Sequence, residues 1–102
     1  MIAPVVLFVY NRLDHTTNVI DSLRKNLLAD KTDLYVFSDA AKSEKALEQV
    51  NAVREYIRKS DWRSSFQSVT VIEAEQNKGL AKSIIGGVTE ILQNYGKVIV
   101  VE

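Results

Sequence analysis

The sequence predicts an α/β fold built on a mainly parallel four-stranded sheet. Short runs of β-branched and aromatic residues alternate with longer stretches of apolar residues at helical spacing. The order is strand-helix three times over and then a strand, and strands joined through helices are expected to lie parallel with right-handed crossovers. The first strand is apolar on both faces, as in a sheet covered by helices on each side.

Each element has its own basis. Pro4 opens "VVLFVY", the first strand. After the polar break "NRLDH", Leu13, Val19, Ile20, Leu23 and Leu27 mark the stripe of a first helix, with Asp14 near its start and Arg24 and Lys25 near its end, as the helix dipole favours. "DLYVFSD", Asp33 to Asp39, is the second strand. Leu47, Val50, Val53 and Ile57 give a second helix through about Arg58, and Trp62 and Phe66 are expected to pin the return across the sheet. "SVTVIEA", Ser68 to Ala74, is the third strand. Asn77 is positioned to cap a third helix with the stripe Leu80, Ile84, Val88, Ile91 and Tyr95, which Gly96 ends. Gly86 and Gly87 each cost that helix roughly 1 kcal/mol relative to Ala, so they predict close packing against a strand. "KVIVVE" reads as a fourth, buried strand.

Composition bounds the function. The 102 residues fit one small domain, and thirteen basic side chains balance thirteen acidic ones, which gives no reason to expect a nucleic-acid partner. No cysteine is present, so disulfides and thiolate metal sites are excluded, and a reducing cytoplasm is compatible. The apolar start "MIAPVVLFVY" lacks a basic leader and reaches Asn11 and Arg12 well short of the ~20 apolar residues that a membrane span needs.

In a doubly wound sheet the ligand lies beyond the carboxyl ends of the strands, at the switch in strand order. The first strand delivers Tyr10, Asn11 and Arg12 there: an aromatic face, an amide and a guanidinium that forks onto a phosphate. Core tyrosine, turn asparagine and solvated arginine are the bland alternatives. Asp39 ends the second strand, either to accept from a ribose hydroxyl or base N–H, or to serve as a turn or N-cap residue in "SDAAK". Asn77, Lys78, Gly79 and Lys82 gather at a helix start, where free N–H groups favour an anion, or else form a capped helix with two solvated lysines. Neither G-x-G-x-x-G nor G-x-x-x-x-G-K-S/T occurs, which disfavours dinucleotide hydride chemistry and P-loop NTP hydrolysis. His15 has no second His, Ser or Cys constellation and is assigned no role.

Taken together, "PVVLFVYNR", "YVFSDAAKSE", "NKGLAKSI" and "VIVVE" resemble the N-terminal half of a GT-A glycosyltransferase of the family 2 type. The resemblance spans the chain and implies a three-layer, Rossmann-like half-domain that binds a nucleotide-diphosphate sugar, UDP-linked in the first instance. It implies that Tyr10, Asn11 and Arg12 surround the nucleotide, that Asp39 contacts base or ribose, and that Asn77, Gly79 and Lys82 close over base and phosphates. Glu102 would be the first residue of an acidic motif that holds a divalent cation, Mn or Mg.

The catalytic base and the site for a glycan or lipid-linked acceptor would lie in a missing C-terminal half. On this reading residues 1–102 are a fragment without transferase activity of its own, from a cytoplasmic enzyme whose full length is compatible with membrane association. A non-catalytic α/β nucleotide-binding or interaction module is the alternative. A receiver-like module is disfavoured because "YNRLD" is not an acidic cluster, and a sugar nucleotidyltransferase because "NRLDHTT" has no glycine.

Overall fold

A computed structural model describes residues 3–59 and 61–101. The element order is β1 (Val5–Val9), α1 (Leu13–Arg24), β2 (Asp33–Ser38), α2 (Glu44–Arg58), β3 (Ser68–Glu73), α3 (Leu80–Tyr95) and β4 (Ile99–Val101). The strands form one sheet in the order β3-β2-β1-β4, and every pairing is parallel. The protein is therefore an α/β chain with a four-stranded parallel sheet and three helices, a Rossmann-like three-layer arrangement.

Because side chains alternate along a strand, each strand serves two faces. Val5, Leu7 and Val9 of β1 and Leu34 and Val36 of β2 point to one face, where they meet Ile20 of α1, Val53 and Ile57 of α2, and Trp62 and Phe66. Trp62 is only 2% exposed and its indole N–H donates to the Tyr56 carbonyl, so it anchors the return from α2 as expected. Val6 and Phe8 point to the other face and meet Ile91 of α3, with Tyr35, Phe37, Ile84, Val88 and Tyr95 around them.

Several local expectations are corrected. α1 ends at Arg24, before Leu27, because the Asn26 side chain accepts the Leu28 N–H at 2.9 Å and turns the chain; Leu27 is left 96% exposed. Leu47 lies beyond the buried stripe of α2 that Val50, Val53 and Ile57 form. Asn77 does not cap α3. That helix starts at Leu80 with Gly79 as its N-cap, and the Asn77 amide instead donates to Asp39 and to the Ala40 carbonyl. Of the two glycines, only Gly87 packs closely: a Cβ there would sit 3.1–3.2 Å from ring atoms of Phe8 and Phe37, whereas one on Gly86 would meet open space.

Gly96 ends α3 in the left-handed conformation, as expected. β4 is a strand but not a buried one. Among the described residues it lies at the sheet's edge and pairs only with β1, and Ile99 and Val100 are about half exposed. No described helix is long and apolar enough to cross a membrane.

Candidate functional site

β1, β2 and β3 step outward in one direction, and β4 returns to the opposite side of β1. The order therefore switches beside β1, and there, beyond the carboxyl ends of β1 and β2, a cavity of about 690 Å³ opens. Tyr10, Asn11, Arg12, Asp39, Asn77 and Gly79 all line it. Lys82 does not. It lies with Lys78 on a smaller cleft of about 210 Å³ between α3 and the β2–β3 side of the sheet.

The walls follow from local structure. The chain leaves β1 and enters α1 within three residues, Tyr10 to Arg12, so the strand's exit and the helix's first turn share one side of the cavity. Thr16 and Val19 extend this wall along α1. His15 lines it as well, a position the sequence alone gave no reason to assign. Gly79, Leu80 and Ser83 bring the first turn of α3 to the opposite side. Two helix starts thus face one space; that of α3 is met by the Asp39 carboxylate, which accepts the Gly79 N–H, and that of α1 carries Asp14 in its first turn. Converging helix N-termini favour an anion.

The polar groups divide into engaged and available ones. The Tyr10 hydroxyl accepts the Lys42 N–H at 2.8 Å, which fixes the tyrosine and brings in Lys42, a residue that sequence reasoning missed. Asp39, 8% exposed, receives the Ala40 and Lys78 N–H groups on Oδ1, each at 2.9 Å. Its Oδ2 receives the Gly79 N–H at 2.9 Å and the Asn77 side-chain amide at 3.2 Å. The Asn11 amide and the Arg12 guanidinium, by contrast, have no hydrogen-bond or ion-pair partner among the described residues. The guanidinium is exposed at the mouth, a cation available to a ligand.

Beneath Asp39 lies a second residue that sequence reasoning missed. Arg54 of α2 donates Nε to Ser38 Oγ at 3.0 Å, and Nη2 to the carbonyls of Ser38 at 3.1 Å and Ala74 at 2.8 Å. It ties the ends of β2 and β3 together and is backed by Glu73, which also pairs with Arg58. The Arg58 guanidinium, donating to Glu73, holds that carboxyl below its usual range. Arg54 sits one turn from Val50 and beside Val53 on the apolar stripe, and a charge inside such a stripe is the signal that points to a buried partner.

Among the described residues no three His, Cys, Asp or Glu side chains gather where they could hold a metal ion. The described part of the site therefore does not fit a divalent cation by itself. Glu102, the nominated ligand, lies outside the described residues. No protein-family model, curated protein or solved structure matches the chain. Fold and site together define a parallel α/β protein with an open cavity at its topological switch point, flanked by two helix starts and one unpaired guanidinium.

Proposed function

We propose that residues 1–102 are the donor-binding part of a glycosyltransferase of the GT-A type, which takes a nucleotide-diphosphate sugar, UDP-linked in the first instance. The observation that carries the reading is a convergence. Tyr10, Asn11 and Arg12 from the first strand exit, Asp39 from the second, and Asn77 and Gly79 from the third line one cavity of about 690 Å³, within the size range of small-molecule sites. They are far apart in sequence and were nominated from sequence alone.

The chemistry of the walls supports the same reading. Phe8, Val9, Val19 and Phe37 provide apolar surface against which a nucleobase excludes water, and Asn11 offers both a donor and an acceptor for polar edges. Arg12 supplies positive charge for a diphosphate, beside the first-turn N–H groups of α1. When the anomeric carbon is attacked, negative charge grows on the departing diphosphate, and a fixed guanidinium stabilises that charge more than it stabilises the ground state. On this proposal the task of residues 1–102 is to bind and orient the donor.

Calorimetric titration of UDP into the 102-residue chain tests the proposal. Binding is expected, with Arg12→Ala weakening it about tenfold or more through loss of a charge-assisted hydrogen bond. No heat at millimolar UDP, or binding that Arg12→Ala leaves unchanged, would overturn it and favour an interaction module that takes no nucleotide.

A further inference from the structure

We infer that Thr16, one turn into α1, is a ligand-contacting residue whose hydroxyl reads a neutral polar group on the nucleoside end of the ligand. Among the described residues four polar ones are buried: Thr16, Thr32, Ser38 and Asp39. Thr32 donates its hydroxyl to the Leu28 carbonyl at 2.7 Å, Ser38 accepts from Arg54 at 3.0 Å, and Asp39 accepts the Lys78 and Gly79 N–H groups. Thr16, 3% exposed, is the one whose side chain has no hydrogen-bond partner among the described residues. Its neighbour Thr17 takes the usual course for a helical threonine and donates to a carbonyl of its own helix, that of Asp14, at 2.9 Å. Buried polar groups are ordinarily bonded, so an orphan in a cavity wall points to what fills the cavity.

Location decides what the hydroxyl can meet. Among the described residues Arg63 Nε is the one partnerless side-chain atom sealed from solvent, so the Thr16 hydroxyl keeps some exposure, and the open space that Thr16 borders is the cavity. Leu7, Val9, Val19 and Phe37 line the same space, which makes the hydroxyl a polar point on an apolar wall. While the cavity is open, solvent can reach it. A ligand that fills the cavity must supply the bond itself or leave the hydroxyl unsatisfied at a cost. Such a group favours ligands that carry a donor or acceptor at that place and rejects close analogues without one.

The same helix face orients the ligand. Arg12, Thr16 and Val19 follow at i, i+4 and i+7, so they share one side of α1, and the Thr16 N–H donates to the Arg12 carbonyl at 2.9 Å. Arg12 is exposed at the mouth, whereas Thr16 is part of the buried wall. Four residues of helix separate them by roughly 6 Å along its axis. An ionised phosphate pays heavily for leaving water, but a hydroxyl or carbonyl that finds one partner pays little. The diphosphate therefore belongs at the guanidinium and the nucleoside at the hydroxyl.

The identity of the ligand rests on the donor-binding reading, and titration of uridine and of UDP into the isotope-labelled chain, followed by amide NMR shifts, keeps the two apart. Thr16→Val retains the shape of the side chain and removes the hydroxyl. It should weaken uridine and UDP by the same factor, about three- to tenfold, and Thr16→Ser should recover most of the loss. Arg12→Ala should weaken UDP and leave uridine unchanged. In the free chain Thr16→Val should unfold at the wild-type urea midpoint or above it, because no hydrogen bond within the protein is lost. A lower midpoint would reveal a partner inside the protein and overturn the inference whatever binds. UDP binding that Thr16→Val leaves unchanged, or a loss confined to UDP, overturns it and spares the donor-binding reading. No binding of either ligand to the wild-type chain overturns both.

Discussion

The two faces of the sheet are built to different standards. On the α1–α2 face, residues from two helices, two strands and the Trp62–Phe66 return bury one another, and Ile20, Leu34, Val36, Val53 and Ile57 are fully inaccessible. On the α3 face a single helix crosses the sheet, and Val6, Phe8 and Ile91 are the buried members of its cluster. Outside them Leu80, Ile85 and Leu92 are exposed on α3. One layer thus works as a scaffold that fixes the strand ends, and the other is thinner and bounds two open clefts. The larger cavity opens at the strand ends between the two layers, with Thr16 and Val19 of α1 and Leu80 and Ser83 of α3 among its lining.

Cavity-forming substitutions measure this difference most directly. Leu34→Ala on the α1–α2 face should cost about 4 kcal/mol, near the top of the range for buried Leu→Ala, because packed neighbours on every side leave nothing free to collapse into the gap. Ile91→Ala, comparably buried, should cost only about 2 kcal/mol, since α3 borders open space and can settle. Urea denaturation of both variants checks this, and equal losses would break the comparison.

The glycines of α3 probe the weaker face alone. Gly86→Ala should stabilise by about 0.5–1 kcal/mol, because open space receives the methyl group and alanine is the better helix former. Gly87→Ala gains the same propensity but must push Phe8 and Phe37, stacked at 5.4 Å between ring centres, by a few tenths of an ångström. It should therefore end at least ~0.5 kcal/mol below Gly86→Ala in thermal or urea unfolding. Identical effects at the two positions would show that the α3 layer is looser than its contacts imply.

These contrasts also mark what the sequence could tell. The strands β1–β4 and the helices α1–α3 were legible, the helices from apolar stripes at helical spacing and the strands as short β-branched and aromatic runs, and β1 was legible as central because it is apolar on both faces. Burial at the edges was not. "VIVV" looks the same whether a strand has one neighbour or two, and Leu27 reads as helical until the Asn26 side chain turns the chain first. At the site, placement beyond the strand ends followed from topology. The commitments of individual groups did not, because whether Asp39 faces a ligand or a loop depends on which donors lie nearby, and Lys78 and Gly79 are some forty residues away in sequence. Arg54 was missed for the same reason: its partners, Ser38, Glu73 and the Ala74 carbonyl, lie well away from it in sequence.

The smallest expected effect separates the polar ties of the two faces. Ser68 first, then Gln67 and Tyr95, donate to Asp33 and hold its carboxyl below the usual range, against an opposing effect of burial. Through Tyr95, which also shares a 2.6 Å hydrogen bond with Tyr35, this carboxylate tethers the end of α3. On the α2 side Arg58, then Arg54, depresses Glu73. Both folded pKa values lie below their unfolded ones, so the unfolded chain binds the protons first. Each carboxylate therefore adds stability that is fully present above the unfolded value, near pH 4, and is lost as pH falls through the lower folded value. Urea midpoints measured from pH 7 to 2.5 should show this acid limb, less steep in Asp33→Asn and in Glu73→Gln. Their partners differ in kind: Asp33 is held by neutral donors, Glu73 by guanidinium groups that are partly in solvent. Molar salt should therefore reduce the share of the acid limb that Glu73→Gln removes and leave the Asp33 share in place. A uniform response to salt would mean that ionic ties matter no more to the α2 face than to the α3 face.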